Sequence, residues 1–143
     1  MSPQKTRVLF VCIHNSARSQ MAEAFLNYFA GDRFEAFSAG IEPGRLNPFV
    51  VSAMKDINID ISRNKTKSIP EALDASRPFD IVITVCDETS AEMCPVIPGI
   101  RQKLHWSFED PSSAAGDDDQ KRLVAARVRD QIRTKVSEWL KSA

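Results

Sequence analysis

The chain has 143 residues, of which 27% are charged, and its 19 basic residues balance its 19 acidic residues. It carries no long block of like charge, which argues against a nucleic-acid partner and against binding to an anionic membrane surface. A chain of this length buries about two-thirds of its unfolded surface, so we expect one domain over residues 1–143 that needs no disulfide or metal ion to fold. The apolar runs are shorter than a membrane span, and residues 1–7 do not lead into a signal peptide, so we expect a cytoplasmic monomer.

The elements predicted in chain order alternate between strands and helices. They are a strand over residues 7–11, a loop over 12–18, a helix over 19–29, a strand over 34–38, a helix over 48–56, a short helix over 69–75, a strand over 81–85, a cysteine-containing loop, a strand over 101–105 and a last helix. The strands "VLFV" and "IVITV" are apolar on both faces, as strands of a covered parallel sheet are. The sequence therefore predicts an α/β fold, a three-layer α/β/α sandwich with a four-stranded parallel sheet and right-handed crossovers.

Both long helices have one apolar stripe to bury. The stripes are Met21, Phe25 and Phe29 in the first helix, and Val124, Val128, Ile132 and Val136 in the last. The run "GDDD" at residues 116–119 supplies a cap and acidic first-turn residues for the last helix, and Lys135 and Lys141 suit its carboxyl end.

The loop after the first strand has the composition of an anion site. Cys12 lies at the carboxyl end of the strand, where parallel α/β sheets bind ligands, and the free N–H groups of the helix that begins near Ser19 point back at it. Arg18 adds a planar fork of donors for an oxyanion, and Asn15 and Ser16 can shape the loop so that its amides converge. The same field favours a thiolate at Cys12, so the loop predicts a nucleophile within an oxyanion site. The alternative is a buried structural Cys12 and a solvated Arg18, since the Cys-x5-Arg spacing alone also arises by chance.

Two further cysteines, Cys86 and Cys94, make an odd total of 3. In the cytosol an odd number suits reactive thiols better than structural disulfides. A zinc site is not expected, because there is no Cys-x2-Cys pair and the two histidines, His14 and His105, lie far apart. Packing beneath a loop is the other alternative, but "CDETSAEMC" is too polar for a core segment. We therefore expect redox use of this pair, and no cofactor.

The stretch "VCIHNSARSQMAEAF" resembles the phosphate loop of low-molecular-weight protein tyrosine phosphatases, and more closely that of the arsenate reductases built on the same fold. The resemblance continues through "FSAGIEP", "NPFVVSAMKDINIDIS", "DIVITVCDETSAEMCPVIP" and "HWSFEDP". It implies that Cys12 is the nucleophile, Arg18 the oxyanion ligand and Ser19 the partner of the thiolate. It also implies that Asp110, on a loop free to hang over the anion, is the general acid. The implied oxyanion-binding residues are Cys12, Ile13, His14, Asn15, Ser16, Ala17 and Arg18.

The resemblance implies reduction of arsenate to arsenite through three cysteines. Cys12 attacks arsenic, Cys86 then attacks the Cys12 sulfur, and Cys94 takes over the disulfide from Cys86 by thiol exchange. Thioredoxin is the implied external reductant. A tyrosine phosphatase that hydrolyses phosphate monoesters through a phosphocysteine is the alternative, because Asp110 fits both enzymes; against it, "DPSSAAGDDD" lacks the tyrosines that bind an aryl substrate. An anion-binding module without catalysis would leave Asp110 and the cysteine pair unexplained.

Three positions depart from the pattern of the family. Cys86 and Cys94 are one residue further apart than in its best-known members, and Ala17 stands where many members have another cysteine. Some members bind a potassium ion near the residues that match Asn15, Glu23 and Ser38, but the acidic fourth partner of that site is Lys67 in this chain. We expect the Lys67 ammonium to take the place of the cation.

Overall fold

The protein is described here by a computed structural model that covers residues 5–73, 78–85 and 100–142. Four parallel strands form one sheet in the order β2-β1-β3-β4. Their bounds are β1 Thr6–Cys12, β2 Phe34–Gly40, β3 Ile81–Thr84 and β4 Gln102–His105. The predicted parallel sheet is confirmed, and β1 lies inside it, with a neighbour on each side.

The helices follow the predicted order, with small differences at their ends. Their bounds are α1 Arg18–Ala30, α2 Pro48–Lys55, α3 Ile69–Ala72 and α4 Asp118–Ser142, and a 3-10 turn spans Pro111–Ser113. The short helix α3 ends before the predicted residue 75, because Leu73 adopts an extended backbone with φ −76° and ψ 134°. Arg18 lies inside the first turn of α1 rather than before it.

Strand β1 is buried on both faces, which explains its unbroken apolar run. Val8 and Phe10 belong to the larger core with the buried residues of α1, α2 and α4. Leu9 and Val11 belong to a second core on the other face, with Ile69 of α3 among its members. A strand with apolar neighbours above and below gains from apolar side chains at every position. The three-layer prediction is confirmed.

Helix α4 is capped as its acidic start predicts. Asp117 Oδ1 accepts from the backbone N–H of Gln120 at 2.9 Å, and Gln120 Oε1 accepts from that of Asp117 at 2.9 Å, so the two side chains cap the helix reciprocally. Lys135, by contrast, is not at the carboxyl end, because the helix continues to Ser142. Its ammonium lies 5.7 Å from the centre of the Trp106 ring.

The segment that carries Cys12 lies at the carboxyl end of the parallel strands. The carboxyl end of β1 pairs with that of β2, with Cys12 opposite Gly40, and the Cys12 segment leads directly into α1. Among the helices of the described residues, none combines the length and apolar character that crossing a membrane requires.

Candidate active site

We call residues 12–18 the Cys12 loop. Each backbone carbonyl from Cys12 to Ala17 accepts a hydrogen bond from a group outside this loop. The donors are Ile41 N to Cys12 O (3.2 Å), Glu42 N to Ile13 O (2.8 Å), Gly44 N to His14 O (2.9 Å), Gln20 Nε2 to Asn15 O (3.2 Å), Asn47 N to Ser16 O (2.9 Å) and Met21 N to Ala17 O (3.0 Å). In a trans peptide the N–H points opposite to the C=O. The loop amides are therefore directed inward, away from those donors, as an oxyanion site requires.

Asn15 fixes the conformation of the loop. Its backbone has φ 53°, in the left-handed region that asparagine tolerates better than most residues, and the side chain is fully buried. The Lys67 backbone N–H donates to Oδ1 at 2.9 Å, and Gln20 Nε2 donates to it at 3.1 Å. Because Oδ1 is set by these donors, Nδ2 faces Ser19 and donates to its hydroxyl at 2.8 Å.

The Cys12 sulfur lies at the end of this chain of donors. Cys12 Sγ is 2.9 Å from Ser19 Oγ and accepts from the Asn15 backbone N–H at 3.2 Å. Since Asn15 Nδ2 already donates to Ser19 Oγ, the hydroxyl can direct its own hydrogen at the sulfur. Cys12 is only 3% exposed, so these bonds act on a sulfur that is nearly out of water. The arrangement suits a thiolate.

Arg18 links the loop to a distant segment. Its side chain is 3% exposed; Nη1 donates to Phe108 O at 3.1 Å, and Nη2 lies 3.6 Å from Asp110 Oδ2. The structure therefore brings Asp110 to the Cys12 loop, although the two are far apart in sequence. A guanidinium and a carboxyl group thus lie together at the end of the loop that carries Cys12.

Asp110 does not lie on a loop that hangs free, as the sequence suggested. It caps the 3-10 turn Pro111–Ser113, and we call residues 110–113 the acid turn. Asp110 Oδ1 accepts from the Ser112 backbone N–H at 2.9 Å, and Oδ2 accepts from the Ser113 hydroxyl at 3.2 Å. The following proline starts the turn and the aspartate caps it, so the carboxyl group is held in place.

The remaining predicted loop residues contribute mainly backbone. Ile13, Ser16 and Ala17 accept bonds at their carbonyls, as given above. His14 is exposed, and its Nδ1 lies 2.9 Å from the carbonyl oxygen of Glu42, on the outer side of the loop. Since a carbonyl can only accept, Nδ1 donates, and His14 fastens the 41–44 segment to the loop.

Sequence reasoning missed Gln20 and Asn47. Gln20 Nε2 donates to both oxygens of Asn15 and to Lys65 O, and it is fully buried. Asn47 joins the Cys12 loop, the start of α2 and the acid turn. The pair Asn-Pro before an apolar helix does indicate a cap, but nothing in the sequence shows its contact with the acid turn.

Glu23, a half-buried residue of α1, is one of the residues that the potassium expectation concerns. Ser38 donates to its Oε1 at 3.2 Å. Burial raises the pKa of Glu23, and the positive charge of Lys67 and the hydrogen bonds from Ser38 offset only part of that rise. Lys67 Nζ donates to Lys65 O at 3.3 Å and acts on the Glu23 carboxylate through its charge, so the replacement of a cation by this ammonium stays a prediction.

Cys86 and Cys94 lie outside the described residues. The described chain ends its third strand just before Cys86, where the Val85 backbone N–H donates to Val11 O at 2.8 Å. Residues 85 and 11 each precede a cysteine, so the backbone reaches position 85 beside the strand end that carries Cys12.

Known proteins match this chain over nearly its whole length. The family described as low molecular weight phosphotyrosine protein phosphatase matches residues 7–143. A relative from Halalkalibacterium halodurans, named arsenate reductase, is 40% identical over 135 residues, which make up 94% of this chain and 95% of that protein.

Two solved structures share the fold. An arsenate reductase in the phosphate binding state has 30% identity and a TM-score of 0.74, over 96% of this chain and 98% of that one. A thioredoxin-dependent arsenate reductase from Corynebacterium glutamicum has 28% identity and a TM-score of 0.72, over 99% of this chain and 63% of that one. The chain belongs to the low molecular weight phosphotyrosine protein phosphatase family, in the group whose members are named arsenate reductases.

Proposed function

We propose that this protein reduces arsenate to arsenite. The observation that carries the proposal is the Cys12 sulfur, which accepts from Asn15 N and adjoins Ser19 Oγ inside a loop whose amides face inward. The names of its relatives support the choice of arsenate among tetrahedral oxyanions.

Binding uses groups that are already assembled. The inward amides of the Cys12 loop and the positive end of α1 attract a tetrahedral anion, and Arg18 can hold two of its oxygens. Arg18 is buried and bound to Phe108 O, so its fork starts from a restricted position. The anion is placed with its central atom facing Cys12.

The first chemical step joins sulfur to arsenic. The Cys12 thiolate attacks arsenic, an arsenic–sulfur bond forms, and an arsenic–oxygen bond breaks. Asp110, acting as the general acid, gives a proton to the departing hydroxyl group of arsenate, which leaves as water. Arsenic is still pentavalent after this step, and Ser19 stabilises the sulfur before the attack.

The second step carries the two electrons. The Cys86 thiolate attacks the Cys12 sulfur, a disulfide forms, the sulfur–arsenic bond breaks, and its electron pair stays on arsenic, which leaves as trivalent arsenite. Cys94 then attacks Cys86, so Cys12 is released as a thiolate and Cys86 is joined to Cys94. A dithiol protein of the thioredoxin type, available in the cytosol, returns that disulfide to thiols.

The test follows arsenite and trapped disulfides together. With thioredoxin, its reductase and NADPH, the wild-type protein should form arsenite continuously. Cys12→Ser should form none, Cys86→Ser should release none, and Cys94→Ser should release one equivalent and stop with Cys12 joined to Cys86, seen by peptide mapping. Sustained turnover of Cys94→Ser with thioredoxin as the sole donor would contradict the relay.

A phosphatase is the second candidate, because phosphate-ester hydrolysis needs only a thiol, an arginine and an aspartate. Cys12 and Arg18 belong to one loop, and Asp110 Oδ2 lies 3.6 Å from Arg18 Nη2. Ser112 and Ser113 follow Pro111, where an aryl-binding phosphatase would carry tyrosines. Hydrolysis of 4-nitrophenyl phosphate without arsenite production would favour this candidate.

A further inference from the structure

Asn47 is a junction of three elements at the edge of the candidate site. Its backbone N–H donates to Ser16 O of the Cys12 loop at 2.9 Å. Its side-chain Oδ1 caps α2 by accepting from Phe49 N at 2.8 Å and Val50 N at 3.3 Å. Because Oδ1 serves the helix, only Nδ2 is left for another partner, and it donates to Ser112 Oγ at 3.0 Å.

Within the acid turn, Ser112 connects Asn47 to Asp110. Its backbone N–H donates to Asp110 Oδ1 at 2.9 Å, while its hydroxyl oxygen accepts from Asn47. The same hydroxyl lies 3.5 Å from Ser16 Oγ, at the limit of a hydrogen bond. Asn47 is buried, so one end of the connection is fixed in the protein.

Two further contacts near the acid turn depend on charge. Arg18 lies 3.6 Å from Asp110 Oδ2, but its attraction is lost when Asp110 takes up the proton it must donate. Arg18 is also the group that binds the anion in the proposed function, so its interaction with Asp110 competes with the substrate. The ion pair between Arg127 Nη2 and Glu109 Oε1, at 2.7 Å, is exposed and therefore contributes little.

The bond between Asn47 and Ser112 joins a neutral amide to a neutral hydroxyl, so its strength depends on neither the protonation of Asp110 nor the occupancy of the loop. We propose that Asn47 and Ser112 are positioning residues that hold Asp110 at the Cys12 loop while its carboxyl group is protonated. The inference rests on the proposed function, in which Asp110 is the proton donor.

The first test removes the acceptor. Ser112→Ala should lower kcat for arsenate about three- to tenfold, the usual effect of one lost hydrogen bond, and change KM less than about twofold. The loss should fall on kcat rather than on KM, because the bond holds the proton donor in place and does not contact the anion. A merely structural role would raise KM and lower the melting temperature along with the rate.

The second test removes the donor and keeps the helix cap. Asn47→Ser retains a side chain that caps α2 but is too short to reach Ser112. It should lower kcat by a similar factor, and the double variant should lose no more than either single one. Ser142→Ala is the matched control, since it removes a hydroxyl that donates to Trp139 O at the end of α4, and it should leave kcat unchanged.

The outcomes separate this inference from the proposed function. Arsenite production by the wild type tests the function, and the ratio of variant to wild-type rates tests the inference. Should the wild type hydrolyse aryl phosphates instead, the same variants are compared on phenyl and 4-nitrophenyl phosphate. Ser112→Ala should then lose more on phenyl phosphate, whose leaving group needs the proton more. An unchanged kcat, a rise in KM as large as the loss in kcat, or additive losses in the double variant would overturn the inference, as would a wild type inactive on every substrate.

Discussion

Glu23 is a half-buried carboxyl group whose environment shifts its pKa. Burial raises its pKa, against the smaller opposing effects of Lys67 and Ser38. A raised folded-state pKa means that the folded protein holds the proton more tightly than the unfolded chain does. Glu23 therefore costs no stability below its unfolded pKa and an increasing amount as pH rises through the folded one.

We predict that Glu23→Gln gains stability relative to wild type as pH rises. The melting temperatures should be close at about pH 4 and should separate towards about pH 7, with the variant higher, because an uncharged amide has no burial penalty for ionisation. Thermal melts across that range test it.

The control is Asp60→Asn, for which the change of stability with pH has the opposite sign. Hydrogen bonds from Ser62 hold the pKa of Asp60 below its ordinary value, so its stabilising effect is present at neutral pH and lost on acidification. The Asn variant should therefore be the less stable protein at neutral pH, and the difference should close as pH falls. Glu23→Gln curves that run parallel to wild type would contradict the first prediction.

Lys67 supplies its own prediction about monovalent cations. If its ammonium takes the place of a cation beside Glu23, the wild-type melting temperature and activity should not respond when potassium replaces sodium at constant ionic strength. Lys67→Asp should respond, because it adds a carboxylate and removes the competing positive charge. Lys67→Met is the control, since it removes the charge without adding an oxygen. A clear potassium effect on the wild type would contradict the prediction that the Lys67 ammonium takes the place of a cation.

At the scale of elements, the end of β2 decides the shape of the Cys12 loop. Gly40 pairs with Cys12 and lies against the loop backbone. A Cβ atom there would be 2.7 Å from Asn15 N, 2.8 Å from His14 C and 2.8 Å from Ile13 O. All three are main-chain atoms and cannot rotate away, so β2 and the loop are fitted to each other without room for a methyl group.

We predict that Gly40→Ala lowers kcat/KM for arsenate about a hundredfold, because a shift of about 1 Å in a catalytic group can cost that much. Gly44→Ala is the matched control. Its Cβ would lie 3.3 Å from His14 Cβ, which is a side-chain contact. We expect Gly44→Ala to lower kcat/KM by no more than about threefold. Equal losses in the two variants would show that the close approach at Gly40 is not what shapes the loop.

The elements themselves were largely predictable, because their signals are local. The apolar run of β1 and the periodic stripe of α1 gave both positions to within a residue or two. The prediction that Lys135 lies at the carboxyl end of α4 was wrong, because the helix continues beyond Val136 to Ser142. Trp139 stabilises this last part of the helix by packing on Phe34 and Trp106.

For the whole molecule, α4 covers the larger core and should dominate stability. Ile132 is fully buried in that core, whereas Leu123 on the same helix is 70% exposed. Ile132→Ala should therefore lower the free energy of unfolding by about 2–5 kcal/mol, and Leu123→Ala by no more than about 0.5 kcal/mol. Urea unfolding at neutral pH measures both. Similar losses for the two would mean that α4 is held by something other than its apolar stripe.

The candidate site was only partly predictable, and sequence distance explains the division. Cys12, Arg18 and Ser19 follow one another on a strand–loop–helix joint, so their meeting is a local matter. Asp110 came from resemblance alone, since its approach to Arg18 depends on how the fold brings separate elements together. The contacts of Ser112 with Asn47 and of Arg18 with Phe108 O join residues 65 and 90 positions apart, and no pattern of spacing reveals them.

All backbone carbonyls from Cys12 to Ala17 accept hydrogen bonds from neighbouring groups of the protein itself. The loop is thus preorganised, and the entropy of ordering it is lost in folding rather than on binding. A preorganised oxyanion site selects its ligand by shape and charge, and phosphate has the same shape and charge as arsenate. Under the proposed function, we expect phosphate to occupy the site as a competitor, while the preference for arsenate arises later, when the sulfur–arsenic bond yields its electron pair. Detoxification would then follow the ratio of the two oxyanions in the cell.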